Sequence, residues 1–100
     1  MEAKTNDIIC PFEITRHCAE RWMERNGFKT AIKARNKWNK AWEKIQEVEV
    51  HDKWKVIDMI NHNLKEARFF KGGEWVFVVV DEKVVTVYPD NGKRVKGIKK

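Results

Sequence analysis

One histidine and two arginines recur at four-residue spacing near the beginning of the chain: His17, Arg21 and Arg25. Residues four apart share a face of a helix, so the three side chains would form one stripe. In the first helical turn the helix dipole disfavours protonated imidazole, which leaves His17 able to accept a proton. Arginine can hold a phosphate with two hydrogen bonds. The pattern suits metal-independent RNA cleavage by attack of the 2′-hydroxyl, although an ordinary solvated helix face has the same spacing.

The net charge of +6 is concentrated in two blocks. Residues 93–100 carry five of the 21 basic residues and no acid, which leaves 16 basic against 15 acidic residues elsewhere. The second block runs from Lys29 to Lys44 and has Glu43 as its only acid. Both blocks are candidate phosphate-binding surfaces; the residues concerned are Lys33, Lys37, Lys40, Lys93 and Arg94. Because lysine is the ordinary residue of exposed faces, solubility is the alternative explanation.

No motif for a metal or a cofactor is present. The chain has no glycine-rich phosphate loop and no dinucleotide fingerprint, and its cysteines and histidines lack the spacing of a zinc site. We therefore expect neither metal nor cofactor. Two cysteines, Cys10 and Cys18, do not make a disulfide framework, so both are expected as free thiols. Neighbours in a helix point about 100° apart, so His17 cannot readily activate Cys18, which we expect in the core.

Length and hydropathy indicate one cytoplasmic domain. The chain has 100 residues, of which 42% are hydrophobic. No apolar run approaches the roughly 20 residues that cross a membrane, and residues 1–7 lack the pattern of a secretory signal. We predict an N-terminal arm at 1–13 and one domain at 14–100, with a basic tail at 93–100.

Three helices are predicted in the first two-thirds of the chain. Thr15 is the expected N-cap of the first, which ends at Asn26 before Gly27. Thr30 is the expected cap of the second, from Ala31 to about Gln46. Its apolar residues recur at helical spacing and include Trp38 and Trp42, both expected in the core. The third, from Asp52 to about Leu64, has an apolar face formed by Trp54, Ile57, Ile60 and Leu64.

The last third changes to a strand-like period, with turns at residues 72–73, 81–83 and 89–92. The expected strands are Ala67 to Phe70, Glu74 to Val80, Val84 to Tyr88, and a weak edge strand from Lys93 to Ile98. The run to Val80 is expected to be buried on both faces. The predicted class is α+β, with N-terminal helices packed on a C-terminal antiparallel β-meander of three or four strands.

The first helix carries a sequence resemblance. The segment from Ile14 to Arg25, ITRHCAERWMER, resembles a pattern of small bacterial and phage domains, Ser/Thr and then His-Ala-x-x-Arg-x-x-x-Arg. The segment from Val84 to Pro89 resembles a strand near the end of those domains. They look like relatives of the barnase–EndoU–colicin–RelE superfamily, mostly metal-independent RNases with helices first and a meander sheet last. Here Cys18 stands where alanine is usual, and an extra helix precedes the sheet.

The resemblance implies a catalytic site between the first helix and the sheet. The residues it implies are His17, Arg21, Arg25, Thr86 and Tyr88. The histidine would act as base or acid, the arginines would bind phosphate, and Thr86 or Tyr88 would contact the scissile phosphate or a base. Arg68 is a further candidate cation for nucleic acid. Each has a structural alternative, since Thr86 is a favoured strand residue and Tyr88 suits a half-buried strand end.

Three functions follow as hypotheses. The first is a metal-independent RNase of RelE-like toxin type, with RNA as substrate and an antitoxin as partner. The second is a non-catalytic nucleic-acid-binding module that uses the lysines of the second helix and the tail. The third is a small phage or mobile-element protein that inhibits a host protein through an exposed aromatic patch, such as Trp54 or Phe69-Phe70. The oligomeric state is left open.

Overall fold

Three helices and six strands are present in the computed structural model, which describes residues 8–63, 65–90 and 92–99. In chain order they are β1 (Glu13–Ile14), α1 (Arg16–Asn26), α2 (Ala31–Glu43), β2 (Gln46–Val50), α3 (Asp52–Asn61), β3 (Arg68–Gly72), β4 (Trp75–Val80), β5 (Lys83–Pro89) and β6 (Val95–Ile98). The α+β class is confirmed. Within the described ranges, no helix is long and apolar enough to cross a membrane. Of the predicted arm and tail, residues 1–7 and Lys100 lie outside the description.

The first two helices begin where their caps predict. The Thr15 side chain accepts a hydrogen bond from the Cys18 backbone N–H at 3.2 Å, and Thr30 does the same for Lys33 at 3.3 Å. Gly27 closes α1 in the left-handed conformation, with φ of 66°. The predicted end of α2 near Gln46 was wrong, because that residue begins β2.

All six strands belong to one sheet with the order β1-β5-β4-β3-β2-β6. Strands β2 to β5 form an antiparallel meander. Strand β1 lies parallel to β5, and β6 crosses to the far edge to pair with β2. The expected pure antiparallel meander of three or four strands is therefore corrected to a six-stranded mixed sheet. The difference arises because two short segments, Glu13–Ile14 and Gln46–Val50, also find strand partners.

The sheet separates two hydrophobic cores, since successive strand residues point to opposite faces. The side covered by α1 and α2, here called the aromatic face, buries the sheet residues Phe70, Phe77, Val79, Val84 and Val87. The other side, here called the α3 face, buries Val48, Val50, Phe69, Val76, Val78, Val80 and Tyr88, with Trp54 of α3 packed against them. Strand β4 contributes to both, which confirms that it is buried on both faces.

Rings fill the space between the helices and the aromatic face. The ring of Phe77 lies 4.9 Å from that of Trp38 and 5.0 Å from that of Trp42, measured between centroids. Both tryptophans are buried, as predicted. Strand β3 approaches α2 so closely that a Cβ on Gly72 would lie 2.2 Å from the backbone oxygen of Ala41. Glycine is therefore required at this crossing.

Helix α3 lies in a different orientation from the one its apolar spacing predicts. Asp58 is buried, whereas Ile57 is 38% exposed and Ile60 is 63% exposed. Trp54 is half-buried against the sheet, and Leu64 lies outside the described residues. Burial of the Asp58 carboxylate raises its pKa, and the nearby charges of His62 and Arg94 offset this effect only in part.

Candidate nucleic-acid interface

The predicted catalytic residues of α1 lie on the surface. His17, Arg21 and Arg25 are exposed. The Arg21 guanidinium contacts Glu24, with 3.3 Å between Nη1 and Oε1. His17 and Arg25 make no hydrogen bond or ion pair with another described residue. The Thr15 hydroxyl donates to the Val84 carbonyl oxygen at 3.1 Å, which anchors the start of this helix to β5.

Thr86 and Tyr88 lie away from that stripe. Tyr88 belongs to the α3 face, and Thr86, two residues earlier in regular register, is on the same side of β5. Helix α1 instead packs on the aromatic face through Cys18 and Trp22. The structure therefore does not bring Thr86 and Tyr88 together with His17 between α1 and the sheet.

Two predicted site residues do meet, on the α3 face. The guanidinium carbon of Arg94 lies 4.1 Å from the ring centroid of Tyr88 and 4.0 Å from that of Trp54. Arg94 is thus held between two rings, where cation–π attraction stabilises it. Beside it lies Asp58, and the Tyr88 hydroxyl and Asp58 Oδ2 are both buried without a hydrogen-bond partner among the described residues.

Burial controls the acid–base behaviour of this cluster. It raises the pKa of Tyr88 to about 12; the Asp58 carboxylate adds to the rise and Arg94 opposes it. Arg94 faces the phenol ring, so its charge offsets burial only in part. Burial also raises the pKa of Asp58, against the opposing charges of His62 and Arg94. A buried, protonated phenol of this kind is unsuited to act as a base at neutral pH.

Sequence reasoning missed Asp58 and His62. Both belong to a series with Trp54 at four-residue spacing, so the three residues share one side of α3. That series was a usable signal, but it competed with the apolar series of Ile57 and Ile60. Since aliphatic side chains are more often buried than carboxylates, the sequence favoured the wrong side.

The Arg68 side chain is engaged by other residues of the protein. Its Nη2 lies 2.9 Å from Oε1 of Glu47 and its Nε lies 3.2 Å from Oε2. The hydrogen bond from Arg68 lowers the pKa of Glu47, with burial opposing it and Lys99 adding to the effect. The Arg68 guanidinium also lies 5.0 Å from the ring centroid of Phe70. This pairing leaves little of its charge for a nucleic acid.

Parts of the basic tail and of the predicted aromatic patch are likewise engaged within the fold. Residues Val95–Ile98 form the edge strand β6, as expected, and Lys99 contacts Glu47 at 3.2 Å. Lys93 is exposed just before this strand. Phe69 and Phe70 are buried, so they offer no exposed patch to a protein partner.

A row of lysines lies along the outside of α2. Its members are Lys33, Lys37 and Lys40 of α2 and Lys44, the C-cap residue that follows the helix, and all four are exposed. We call this row the lysine stripe. The spacing of four, three and four residues keeps them on one side of the helix over about 16 Å. No ion pair joins any of them to another residue in the described part of the chain.

A groove of about 460 Å³ lies between the lysine stripe and the β3–β4 hairpin. Its lining includes Lys37, Lys40, Ala41, Glu43, Lys44, Gly72, Gly73, Glu74 and Trp75. Trp75 is half-buried and packs against Trp22, with 5.0 Å between ring centroids. Sequence reasoning did not single out Trp75; the signal was an aromatic residue beside a Gly-Gly turn.

The described residues provide neither a cluster of metal ligands nor a reactive thiol. Within residues 8–63, 65–90 and 92–99, no three His, Cys, Asp or Glu side chains lie close enough to hold a metal ion. Cys10 and Cys18 are free and buried. Burial raises the pKa of Cys18 to about 12, with a further rise from Cys10, so its thiol is a core group and not a nucleophile at neutral pH.

No family model, curated protein or solved structure matches this chain in the three comparisons. The superfamily resemblance and the catalytic roles it implies remain predictions. The geometry of the described surfaces is therefore the basis for inferring a function.

Proposed function

We propose that this protein binds nucleic acid, with RNA as its ligand, along the lysine stripe of α2. The observation that carries the proposal is the row of four exposed lysines without ion-pair partners among the described residues. Lysines that neutralise phosphates release condensed counterions, and this release drives binding. The geometry favours the binding hypothesis over the catalytic one because Thr86 and Tyr88 do not join the α1 stripe.

Four other cations are less suited to this task because they are engaged within the fold. Arg68 is bound by Glu47, Arg94 lies between two rings, and Arg21 contacts Glu24. Lys71 Nζ lies 3.3 Å from Oδ2 of Asp90. A phosphate would have to compete with these partners, whereas on the lysine stripe it would replace only water and mobile ions.

The test is RNA binding measured by fluorescence anisotropy over a series of salt concentrations. For a single strand the logarithm of the association constant falls by about 0.7 per phosphate contact for each tenfold rise in salt, so four contacts predict a slope of about −3. The double variant Lys37→Gln/Lys40→Gln should lose about 1.4 of that slope and bind more weakly at low salt.

The matched control is Lys83→Gln/Lys96→Gln, which removes the same charge from exposed positions on β5 and β6. It should bind nearly as the wild type does. Equal losses in the two double variants would show that net charge alone matters and would sink the proposal, as would an absence of salt-dependent binding.

A second candidate function is metal-independent RNA cleavage. The observation that favours it is that His17 and Arg25 are exposed and unengaged among the described residues, with Arg21 between them. Cleavage would depend on this stripe of α1 and would place the protein beside the RelE-like toxins that its first helix resembles. Such a toxin would have an antitoxin as partner.

Cleavage is tested with purified protein, several RNA substrates and a metal chelator. His17→Ala should abolish it, while His51→Ala, a change at the exposed N-cap of α3, should not. Activity that survives in a folded His17→Ala protein would assign the reaction to another site or to a contaminant. No cleavage of any substrate would leave binding as the function.

A further inference from the structure

We infer that the nucleic acid bound by this protein is single-stranded, and that an unpaired base stacks on Trp75 in the groove between α2 and the β3–β4 hairpin. This inference rests on the proposed function, because the lysine stripe supplies the contacts to phosphate. It adds the class of ligand and the position of one nucleotide. A lysine row alone would accept a duplex or a single strand.

The groove has the size and position for a base next to a phosphate. Its volume of about 460 Å³ lies within the range of small-ligand sites. Lys37, Lys40 and Lys44 line one wall, and the β3–β4 hairpin lines the other. At Gly73 a Cβ would meet no atom of the described residues within 4 Å, so these residues leave the turn at the groove uncovered.

Trp75 is prepared for stacking before a ligand arrives. Its indole is half-buried, and the ring packs edge-on against Trp22 at an interplanar angle of 65°. Trp22 is itself fixed, because its Nε1 donates to the Ala34 carbonyl oxygen at 2.9 Å. Little conformational freedom is left to lose on binding, and the part of the indole that stays exposed can contact the face of any base.

Two carboxylates favour a base over a phosphate inside the groove. Glu43 and Glu74 line it together with Trp75. Their charges repel a phosphate and can accept hydrogen bonds from the amino groups of a base. The phosphates would therefore follow the lysine stripe, while the base points towards Trp75. A base inside a duplex is already paired and stacked, so only an unpaired one can enter.

The experiment compares a single-stranded RNA with a blunt RNA duplex of equal length at one salt concentration, by fluorescence anisotropy. The single strand should bind at least about fivefold more tightly. Trp75→Leu should reduce the affinity for the single strand by about fivefold or more and leave the affinity for the duplex within about twofold. Trp75→Phe keeps a ring and should retain the preference. The control Trp54→Leu changes a half-buried tryptophan on α3 and should alter neither affinity.

Photocrosslinking of the wild type to a bromouridine-substituted single strand keeps the test independent of whether Trp75→Leu folds. The crosslinked peptide should contain Trp75, and crosslinks confined to other peptides would overturn the inference. Salt-dependent binding without preference for the single strand, and without an effect of Trp75→Leu, would overturn it and leave the proposed function standing. An absence of salt-dependent binding to either RNA would overturn both.

Discussion

The two faces of the sheet are stabilised by different physics. On the aromatic face, Phe77 contacts Trp38 edge-on and contacts Trp22 and Trp42 in tilted arrangements. Trp38 and Trp42 also stack on each other. On the α3 face, valines pack beside a cluster of ionisable groups in which Asp58 is buried. Helices α1 and α2 are therefore packed on the sheet through rings, whereas α3 packs through Trp54 beside buried groups whose protonation depends on pH. The first kind of contact is insensitive to pH and the second is not.

The largest effect is expected from removing a ring from each face. Phe77→Ala should destabilise the protein by about 5 kcal/mol and Phe69→Ala by about 3 kcal/mol. Phe77 loses ring contacts that each add about 0.5–1.5 kcal/mol, while Phe69 has no ring partner among the described residues. Denaturant unfolding measures both; Phe77→Leu and Phe69→Leu replace them if Phe77→Ala does not fold. Equal losses would contradict the contrast between the faces.

The next effect concerns how closely α2 packs on the aromatic face. Gly72→Ala should cost about 3 kcal/mol, because its Cβ would overlap the backbone of Ala41 and force the helix away. The control Gly97→Ala, in β6, meets no atom within 4 Å and should be nearly neutral. Thermal unfolding of both proteins gives the comparison. A mild effect at position 72 would mean that the crossing is looser than described.

On the α3 face, Asp58→Asn should stabilise the protein at neutral pH by about 1 kcal/mol. The substitution removes the negative charge of a buried carboxylate whose Oδ2 has no hydrogen-bond partner among the described residues. Burial raises the pKa of Asp58 in the folded state. The contribution of the Asp58 carboxyl to the stability of the wild type is therefore present at low pH, and it is lost as the pH rises through the folded-state pKa of Asp58. The advantage of the variant should grow over that interval in chemical unfolding at several pH values.

Asp52→Asn is the matched control, since Asp52 is an exposed carboxylate in the first turn of the same helix. Its removal should weaken the helix slightly, by less than about 1 kcal/mol. If Asp58→Asn instead lost stability at neutral pH, attraction between Asp58 and Arg94 would outweigh the cost of burial.

The smallest effect at neutral pH is expected for Tyr88→Phe, within about 1 kcal/mol, because the hydroxyl it removes has no hydrogen-bond partner in the described part of the chain. The pKa of Tyr88 is raised to about 12, above its unfolded value of about 10. The contribution of the protonated Tyr88 phenol to folding stability is complete below pH 10 and is lost as the pH rises through about 12. Tyr88 is the one tyrosine in the chain, so phenolate absorbance reports on it alone. A titration midpoint near 10 in the folded protein would contradict this burial.

Local signals predicted the aromatic face well. The caps Thr15 and Thr30 mark the starts of α1 and α2, and the tryptophans of α2 lie in the core as their spacing indicates. Strand β2 was missed because it is short and directly follows a helix whose apolar pattern continues to Ile45. Its partners, β3 and β6, lie far along the chain, and local periodicity cannot report such pairing.

The α3 face and the candidate site were less predictable. The charge of Arg94 acts on Asp58 of α3, although Arg94 lies more than thirty positions away and reaches it only through the fold. The lysines of α2 were identified from charge alone. The groove in which Trp75 lies beside them is formed with the β3–β4 hairpin, which is distant in sequence. The sequence alone indicated where basic residues are concentrated. That Arg68 forms an ion pair with Glu47 could be seen only in the tertiary structure.

The parallel pairing of β1 with β5 has a consequence for how the chain is made. Glu13 pairs with Lys83 and Ile14 with Val84, and Val48 pairs with Ile98 at the other edge. Until β5 has been synthesised, β1 at the start of α1 therefore has no strand to pair with. At the other edge of the sheet, β2 pairs with β6 only after β6 has been synthesised. Such distant contacts slow folding. Assembly of this sheet is accordingly a late event in synthesis, and the aromatic side chains of α1 and α2 lack their sheet partners until then.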